Sequence, residues 1–246
     1  MSWLSRLLGT SLPEADLSVL HTDVHSHLIP GIDDGSSSIE DSINLIRGLQ
    51  ELGYKRLITT PHVMSDFYRN TPEMILGGLE DVRNAMKAEG IDMEISAAAE
   101  YYCDHDFELK IGKEDLLTFG DKYLLFELSY LNPSDNFDTV SFKLQLEGYK
   151  PVLAHPERYP YWYQSFDKYQ EIRDKGVLLQ VNIASIAGHY GTVAKRIAER
   201  LIDNEMVDLL GSDMHKVSHI DVYKKALKEP ALHKLLNSGK LINAQL

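Results

Sequence analysis

Short apolar runs with the character of β-strands alternate along this chain with amphipathic runs that have the spacing of helices. Apolar strands separated by helices are typical of a parallel sheet with helices packed on its faces. Seven such strands in 246 residues favour an α/β fold, a distorted seven-stranded (β/α)7 TIM-like barrel, over an open doubly wound sheet. The predicted strands are Val19–His25, Arg56–Thr60, Asp92–Ala98, Tyr123–Leu128, Pro151–His155, Val177–Asn182 and Val207–Ser212.

Helix signals fill the segments between these strands. In Ser38–Leu52, isoleucine and leucine recur at three- and four-residue spacing and therefore form one apolar stripe. Thr71 before Pro72 is typical of a helix start, and Gly90 is typical of a helix end, which predicts a helix that reaches about Glu89. The other predicted helices are Ser134–Glu147, Phe166–Lys175, Thr192–Asn204 and Ile220–Leu227.

Charge and composition restrict the class of protein. The net charge of −12 argues against a nucleic-acid partner, because such binding needs clustered lysine and arginine. Apolar runs stay shorter than the roughly 18 residues that a membrane span needs, and we expect no span. The single cysteine, Cys103, cannot form an internal disulfide. We therefore expect a cytoplasmic protein.

The first residues differ in pattern from the rest of the chain. Met1–Ser11 lacks the continuous apolar core and the small-residue cleavage site of a signal peptide. We expect residues 1–18 to be an N-terminal extension and residues 19–246 to be a single domain. The apolar residues of the extension could form one helical face that packs on the domain or on a partner: Trp3, Leu4, Leu7 and Leu8.

Histidine and carboxylate residues stand at or just after the predicted carboxyl ends of the strands. In a barrel these ends converge on one face, where active sites form. His25 and His27 project to the same face because side chains alternate along an extended segment. Imidazole and carboxylate ligands suit zinc, manganese or iron, and so many ligands imply two or three divalent ions. The predicted ligands are His25, His27, Asp34, His62, Glu100, Glu127, His155, Asp213 and His215.

Each of these residues, taken singly, has an ordinary structural explanation. Asp33 or Asp34 could shape a turn before Gly35. Glu127 is harder to explain, because a carboxylate within an apolar strand is costly to bury unless it is paired or bound to metal. Three divalent ions would carry about +6 against about −4 from four carboxylates, so the acidic chain could still bind an anionic substrate.

With these residues, the sequence resembles the polymerase and histidinol phosphatase (PHP) superfamily. Within it, the chain is most similar to the CpsB-like bacterial tyrosine phosphatases of capsule and exopolysaccharide systems. The matching motifs span about residues 20–220, nearly the whole predicted domain. They are the run from Asp23 to Gly35, Thr60-Pro61-His62, Glu100, Glu127, the run from His155 to Tyr159, and the run from Ser212 to His215.

The resemblance implies the PHP fold, which is a distorted seven-stranded barrel, and a three-metal site that often holds manganese. It implies that a hydroxide bridging two ions hydrolyses phosphotyrosine, on a bacterial tyrosine kinase of capsule or exopolysaccharide synthesis. It assigns the ligands to three ions: His25, His27, Glu100 and Asp213 to the first; Glu100, Glu127 and His155 to the second; Asp34, His62 and His215 to the third.

Cationic residues near the motifs are candidates for binding the phosphate. We expect Arg158 to contact the phosphoryl oxygens, because its planar guanidinium suits phosphate; a surface ion pair is the alternative. Glu127 or His155 could assist proton transfer, although both fit better as ligands. The family usually carries a second arginine after the final histidine. Here Lys216 or His219 could take its place, or the second contact could be missing.

Other interpretations of the sequence stay open. Cys103 lacks the Cys-x5-Arg signature of thiol phosphatases, because Leu109 stands where the arginine would be. A small-molecule phosphatase such as a histidinol-phosphate hydrolase, a nuclease-like hydrolase and a non-catalytic metal-stabilised scaffold of a polysaccharide-export complex are the alternatives. Aromatic residues could line a phosphotyrosine pocket or simply pack together: Phe67, Tyr68, Tyr101, Tyr102, Tyr159, Tyr161 and Trp162.

Overall fold

The computed structural model describes residues 12–113 and 115–246. The apolar face expected from Trp3, Leu4, Leu7 and Leu8 lies outside the described residues. Within the later part of the expected extension, Leu17 is buried in the core, together with Leu20. The two residues belong to a short 3-10 helix, Leu17–Leu20, so the chain already packs on the domain just before residue 19.

The described residues contain parallel strands in two ladders, ordered β1-β2-β4 and β3-β5-β6-β7-β8-β9. The strands are β1 (Thr22–Asp23), β2 (Arg56–Thr59), β3 (His62–Val63), β4 (Glu94–Ala97), β5 (Glu100–Tyr102), β6 (Tyr123–Glu127), β7 (Lys150–Ala154), β8 (Leu178–Asn182) and β9 (Leu209–Gly211).

Backbone hydrogen bonds connect the two ladders. Only two residues separate β2 from β3, and only two separate β4 from β5, so the short strands occupy seven strand positions. Past the end of β1, the His25 carbonyl accepts a hydrogen bond from Asp213 N at 2.7 Å, and His27 N donates to the Met214 carbonyl at 2.9 Å. The first and last strand positions are therefore neighbours, as in a barrel, and the predicted α/β fold with parallel strands is confirmed.

The predicted strands differ from the observed ones mainly at the start of the first strand and at the end of the second. The prediction of a strand over Val19–His25 is wrong at its start, because Asp16 caps the Leu17–Leu20 turn by accepting a hydrogen bond from Ser18 N at 2.9 Å. The second strand breaks after Thr59, near Pro61, which has no N–H for the ladder. The remaining predicted strand ends agree with the structure to within two residues.

Helices surround the strands: α1 (Ile39–Glu51), α2 (Pro72–Ala88), α3 (His105–Lys110), α4 (Phe137–Leu146), α5 (Asp167–Asp174), α6 (Ile183–Ile186), α7 (Thr192–Asp203), α8 (His219–Ala226) and α9 (Pro230–Leu236). Ser38 and Thr71 cap α1 and α2 with their side chains, and the cap at Thr71 was predicted. α4 begins later than Ser134, because the Ser134 hydroxyl donates to Asn136 Oδ1 at 2.6 Å and holds a turn. The short helices α3, α6 and α9 were not predicted. Among the described residues, we find no helix with the length and apolar character to cross a bilayer.

Apolar side chains fill the inside of the barrel and form what we call the barrel plug: Val24, Ile58, Ala98, Phe119, Leu125, Val152, Ala154 and Leu209. Side chains two residues apart in a strand point to the same face. Glu100 follows Ala98 and Glu127 follows Leu125 at this spacing, so both carboxylates lie above the plug. The fold therefore places polar groups at the carboxyl ends of the strands and closes the space beneath them.

Candidate metal centre

A cavity of about 410 Å³ opens at the carboxyl ends of the strands. A larger cavity, of about 770 Å³, lies on the opposite side of the barrel plug, next to Ile58, Phe119 and Leu246, and is lined by none of the predicted ligands. The smaller cavity is lined by Asp34, His62, Met64, Tyr68, Glu127, Tyr130, His155, Arg158, Tyr190, Asp213, His215, Lys216 and His219.

The first group of predicted ligands is completely buried or nearly so. His25 Nε2 lies 3.3 Å from His27 Nε2, so two imidazole nitrogens face each other. Glu100 Oε2 lies 3.2 Å from His25 Nε2 and 3.5 Å from His27 Nε2. Asp213 Oδ1 lies 3.5 and 3.6 Å from the same two nitrogens. The two imidazole nitrogens therefore face one oxygen of Glu100 and one of Asp213, and His25, His27 and Asp213 lie close enough together to share an ion.

Glu100 also faces a second group through its other oxygen. Glu100 Oε1 lies 3.0 Å from His155 Nε2, and Glu127 Oε2 lies 3.8 Å from the same nitrogen. On the other side, His62 Nδ1 lies 3.1 Å from Glu100 Oε2 and 3.2 Å from Glu127 Oε1. A carboxylate with its two oxygens directed at different groups has the arrangement of a bridging ligand.

The third group stands at the mouth of the cavity. Asp34 Oδ1 lies 3.5 Å from His62 Nε2 and 3.4 Å from His215 Nε2, and the Asp34 side chain is 56% exposed. His215 stacks on His27, with 4.0 Å between the ring centroids, so His27 also belongs to this group. The structure thus brings all nine predicted ligands together, although His27 and His62 each contact two groups.

The donor atoms of this cluster fit divalent cations. His62 Nδ1 is buried and has no hydrogen-bond partner, although two carboxylate oxygens lie close to it. Burial alone would raise the pKa of Glu100, but His25 and His62 hold it well below its usual range. Burial alone would lower the pKa of His62, but Glu100 raises it to about 9. Buried carboxylates of this kind require compensating cations, which protonated imidazoles or metal ions can supply.

Asp33 and Gln180, which the sequence did not identify as hydrogen-bond partners of the ligands, orient two of the imidazoles. His27 Nδ1 donates to Asp33 Oδ2 at 2.8 Å, and His25 Nδ1 donates to Gln180 Oε1 at 2.7 Å. Asp33 also accepts a hydrogen bond from Gly35 N at 3.0 Å, so the expected turn is present as well. In both imidazoles the Nε2 atom is left to face the centre, which is the arrangement of outer partners around metal ligands.

His155 and Asp213 adopt left-handed backbone conformations, with φ of 34° and 55°. Such conformations are unfavourable for residues other than glycine and persist where the surroundings impose them. The buried carboxylate of Glu157 fixes the segment after His155, because its Oε1 accepts hydrogen bonds from Asn182 N at 3.0 Å and Ser185 Oγ at 2.6 Å. The surrounding structure thus holds two predicted ligands in a costly backbone conformation.

Arg158 lies in the wall of the cavity. Its Nη1 donates to Asp213 Oδ2 at 3.0 Å. Its Cζ lies 4.0 Å from the centroid of the Tyr190 ring and 4.8 Å from that of Tyr130, so two aromatic faces hold the guanidinium. Burial alone would lower the pKa of Arg158, but Tyr130 and Asp213 raise it further above its usual value. The guanidinium therefore stays charged.

A profile of the family described as "Capsular polysaccharide synthesis, CpsB/CapC" matches residues 21–234. The chain belongs to the CpsB/CapC family. Tyrosine-protein phosphatase YwqE of Bacillus subtilis is 29% identical to this chain over 196 residues, which are 79% of this chain and 77% of that protein. Tyrosine-protein phosphatase CpsB of Streptococcus pneumoniae is 27% identical over 201 residues, which are 79% of this chain and 83% of that protein.

Solved structures support the assignment of this chain to the CpsB/CapC family. A structure from work on YwqE and CpsB, described there as unique metal-dependent tyrosine phosphatases, matches with a TM-score of 0.80 and 27% identity. The match covers 91% of this chain and 90% of that one. Histidinol phosphate phosphatase from Lactococcus lactis matches with a TM-score of 0.50 and 14% identity over 89% of this chain and 94% of its own, which shows a shared fold.

In this CpsB/CapC family member, the two candidates for a second cation differ in character. Lys216 is exposed and lines the mouth of the cavity. His219 also lines it, but burial and the neighbouring His215 lower the pKa of His219 to about 4. The His219 imidazole is therefore neutral near pH 7, and Lys216 is the residue of the two that can offer a positive charge.

The aromatic residues of this CpsB/CapC chain divide between the cavity and the core. Tyr68 stacks on His62 with 5.5 Å between the ring centroids, and Tyr130 stacks on His155 at 5.7 Å. Of the aromatic residues that the sequence suggested for a phosphotyrosine pocket, only Tyr68 lines the cavity. Tyr130 and Tyr190 also line it, although they were not among the predicted residues. Tyr159 and Trp162 are buried and pack on each other, and Tyr101 stacks on Phe107.

Cys103 is buried away from the cavity. Burial raises the pKa of the Cys103 thiol to about 12. A nucleophilic cysteine must be available as the thiolate, so this thiol is not suited to attack phosphorus.

Proposed function

We propose that this chain is a metal-dependent protein-tyrosine phosphatase. Its substrate would be a phosphotyrosine protein, and we propose a bacterial tyrosine kinase of capsule or exopolysaccharide synthesis. The observation that carries the proposal is the position of Glu100, whose two carboxylate oxygens face different imidazole groups, one of which, His155, lines the same cavity as the guanidinium of Arg158. Membership of the CpsB/CapC family and the names of the relatives support it.

We propose that two or three divalent ions bind in the cluster, with manganese first and iron or zinc as alternatives. When bound, such ions lower the pKa of coordinated water and neutralise charge on phosphoryl oxygens. The donor set contains only nitrogen and oxygen atoms, which suits these metals. The residues that would hold them are His25, His27, Asp34, His62, Glu100, Glu127, His155, Asp213 and His215.

Arg158 would bind the phosphoryl group of the substrate. A guanidinium carries five N–H donors in one plane, and the bond to Asp213 Oδ2 uses only one Arg158 nitrogen. The rings of Tyr130 and Tyr190 restrict its rotation, so the remaining donors are already oriented before the substrate arrives. Lys216 would supply a second, more flexible positive charge at the mouth of the cavity.

The cavity also suits the leaving group. Tyr68 and Tyr130 present aromatic rings between which the phenyl ring of phosphotyrosine would lie. A departing tyrosine oxygen is a fairly good leaving group and needs little help from an acid. Glu127 and His155 line the same cavity and would assist that proton transfer in addition to holding metal.

The alternative substrate class is a small phosphomonoester such as histidinol phosphate. To separate the two, kcat/KM is measured for a phosphotyrosine peptide and for histidinol phosphate with manganese-loaded protein. We expect the peptide to be preferred by at least about a hundredfold, because only in phosphotyrosine is the ester oxygen attached directly to an aromatic ring, which would then lie between Tyr68 and Tyr130. Preference for histidinol phosphate, or activity on neither compound after loading with manganese, iron or zinc, would refute the proposal.

The compartment follows from the same proposal. We propose a cytoplasmic location, because the single cysteine is typical of a protein that does not depend on disulfides and the proposed kinase substrate carries its phosphotyrosine inside the cell.

A further inference from the structure

Two loops that line the cavity place an exposed apolar side chain directly beside a lining residue. Phe67 precedes Tyr68 and is 77% exposed, and Leu131 follows Tyr130 and is 86% exposed. Large apolar side chains exposed at the rim of a cavity are typical of surfaces that bind a partner. We call this pair, Phe67 and Leu131, the docking edge.

The loop that carries Phe67 is held by hydrogen bonds. Met64 N donates to the Tyr68 carbonyl at 2.8 Å, and Arg69 Nε donates to the Ser65 carbonyl at 2.6 Å. Ser65 N donates to Asp104 Oδ2 at 3.1 Å, which joins the loop to the start of α3. Phe67 is therefore presented to solvent by a fixed loop.

The loop that carries Leu131 is fixed in a similar way. Ser129 Oγ accepts a hydrogen bond from Leu131 N at 3.1 Å, and the Ser129 carbonyl accepts one from the Tyr161 hydroxyl at 2.9 Å. Tyr130, between Ser129 and Leu131, is anchored by its stacking on His155 and its contact with Arg158. Its neighbour Leu131 is left in solvent at the rim.

The sheet order determines how far apart the two loops begin. β5 is hydrogen-bonded to β3 on one side and β6 on the other, so the two loops flank the end of β5. Two strand spacings correspond to roughly 10 Å, which an extended peptide covers with about three residues. A polypeptide whose phosphotyrosine enters the cavity can therefore reach the docking edge with residues close to that tyrosine.

We infer that the docking edge binds apolar residues that flank the phosphotyrosine of a polypeptide substrate. This inference rests on the proposed phosphatase function and specifies its substrate class. The chain continuity with Tyr68 and Tyr130 argues for a substrate as the occupant, because whatever covers Phe67 and Leu131 lies next to the cavity mouth. A free phosphomonoester would fill the cavity and leave both side chains in water.

The test compares the double variant Phe67→Ala/Leu131→Ala with wild type in the full chain loaded with manganese. Three substrates are used: free phosphotyrosine, a phosphotyrosine peptide flanked by leucines, and the same peptide flanked by glycines. We expect wild type to prefer the leucine peptide through a lower KM. In the variant, kcat/KM for that peptide should fall about tenfold, with kcat little changed.

The matched control is Phe142→Ala/Leu146→Ala, which removes two apolar side chains of similar exposure, 67% and 71%, from α4, outside the cavity. We expect it to leave all three substrates unaffected. Equal loss on free phosphotyrosine and the leucine peptide in the docking-edge variant, or no loss on the peptide, would overturn the inference. Failure of wild type on all three substrates would instead refute the phosphatase function itself.

Discussion

Arg158 donates its hydrogen bond to the Asp213 oxygen that does not face the histidines. Nη1 of Arg158 lies 3.0 Å from Oδ2 of Asp213, whereas Oδ1 of Asp213 lies 3.5 Å from His25 Nε2 and 3.6 Å from His27 Nε2. One carboxylate thus connects the cation expected to bind phosphate with the imidazoles expected to bind metal. The position of the phosphate should therefore depend on the same residue that holds an ion.

Replacing Arg158 by lysine should impair the enzyme even though the charge is kept. Lysine has no planar set of donors and stacks less well between Tyr130 and Tyr190. We expect kcat/KM for a phosphotyrosine peptide to fall about a hundredfold, which is typical for loss of one oriented donor to a developing charge. The inhibition constant of inorganic phosphate should rise in parallel. Arg47→Lys, at an exposed ion pair with Glu89, is the control; unchanged kinetics in Arg158→Lys would contradict the assignment.

Tyr190 should act as a positioning residue through its ring. Its hydroxyl donates to Asp213 Oδ2 at 3.3 Å, a long hydrogen bond, whereas its ring lies against the Arg158 guanidinium. We expect Tyr190→Phe to stay within about threefold of wild type and Tyr190→Leu to raise KM about tenfold, in line with loss of a partly buried cation–π contact. If both variants showed the same KM, the ring would have no part in holding Arg158.

Asp33 and Gln180 should influence metal affinity without binding metal themselves. Each accepts a hydrogen bond from the Nδ1 atom of a predicted ligand, His27 and His25 respectively. We expect Asp33→Asn and Gln180→Ala each to weaken manganese binding by about 10- to 100-fold in calorimetric titration. Asp66→Asn, at an exposed aspartate of a neighbouring loop, should bind as wild type. Unchanged affinity in both variants would show that the imidazoles need no such orientation.

Cys103 should be unreactive in the folded protein. Because burial raises the pKa of the thiol to about 12, the protonated form dominates at neutral and mildly alkaline pH. The thiolate fraction should rise about tenfold per pH unit below that value, and alkylation by iodoacetamide at pH 8 should be slow until the protein is unfolded. Cys103→Ser should keep its phosphatase activity. Rapid alkylation accompanied by loss of activity would point to a role in catalysis.

Much of the candidate site could be predicted because it follows strand geometry. Glu127 could be recognised because its carboxylate lies within an apolar run. His155 and Asp213 could be recognised because they stand at or just after the ends of predicted strands. Alternation along the chain then directs such side chains to one end of the barrel. The breaks before His62 and Glu100 were not predicted, because strands of two or three residues leave no periodic signal.

The partners around the site could not be predicted, because they depend on contacts between distant segments. Gln180 meets His25 across 155 residues of chain, and Tyr190 reaches Asp213 from the loop before α7. Gln180 lies inside the apolar run Val177–Asn182, and a buried amide of this kind indicates a polar partner inside the barrel. Tyrosines on loops give no such hint, since most pack against their surroundings, as Tyr159 does.

Release of phosphate from a phosphotyrosine peptide, before and after metal loading, tests the central proposal most directly. Chelator-treated protein should release almost no phosphate, and added manganese should restore turnover in wild type. His155→Ala should lose at least about a hundredfold in kcat under the same loading, because it removes one of the few groups that contact Glu100 Oε1. Equal turnover with and without chelator, or full activity in His155→Ala, would contradict a metal-dependent phosphatase built on this cluster.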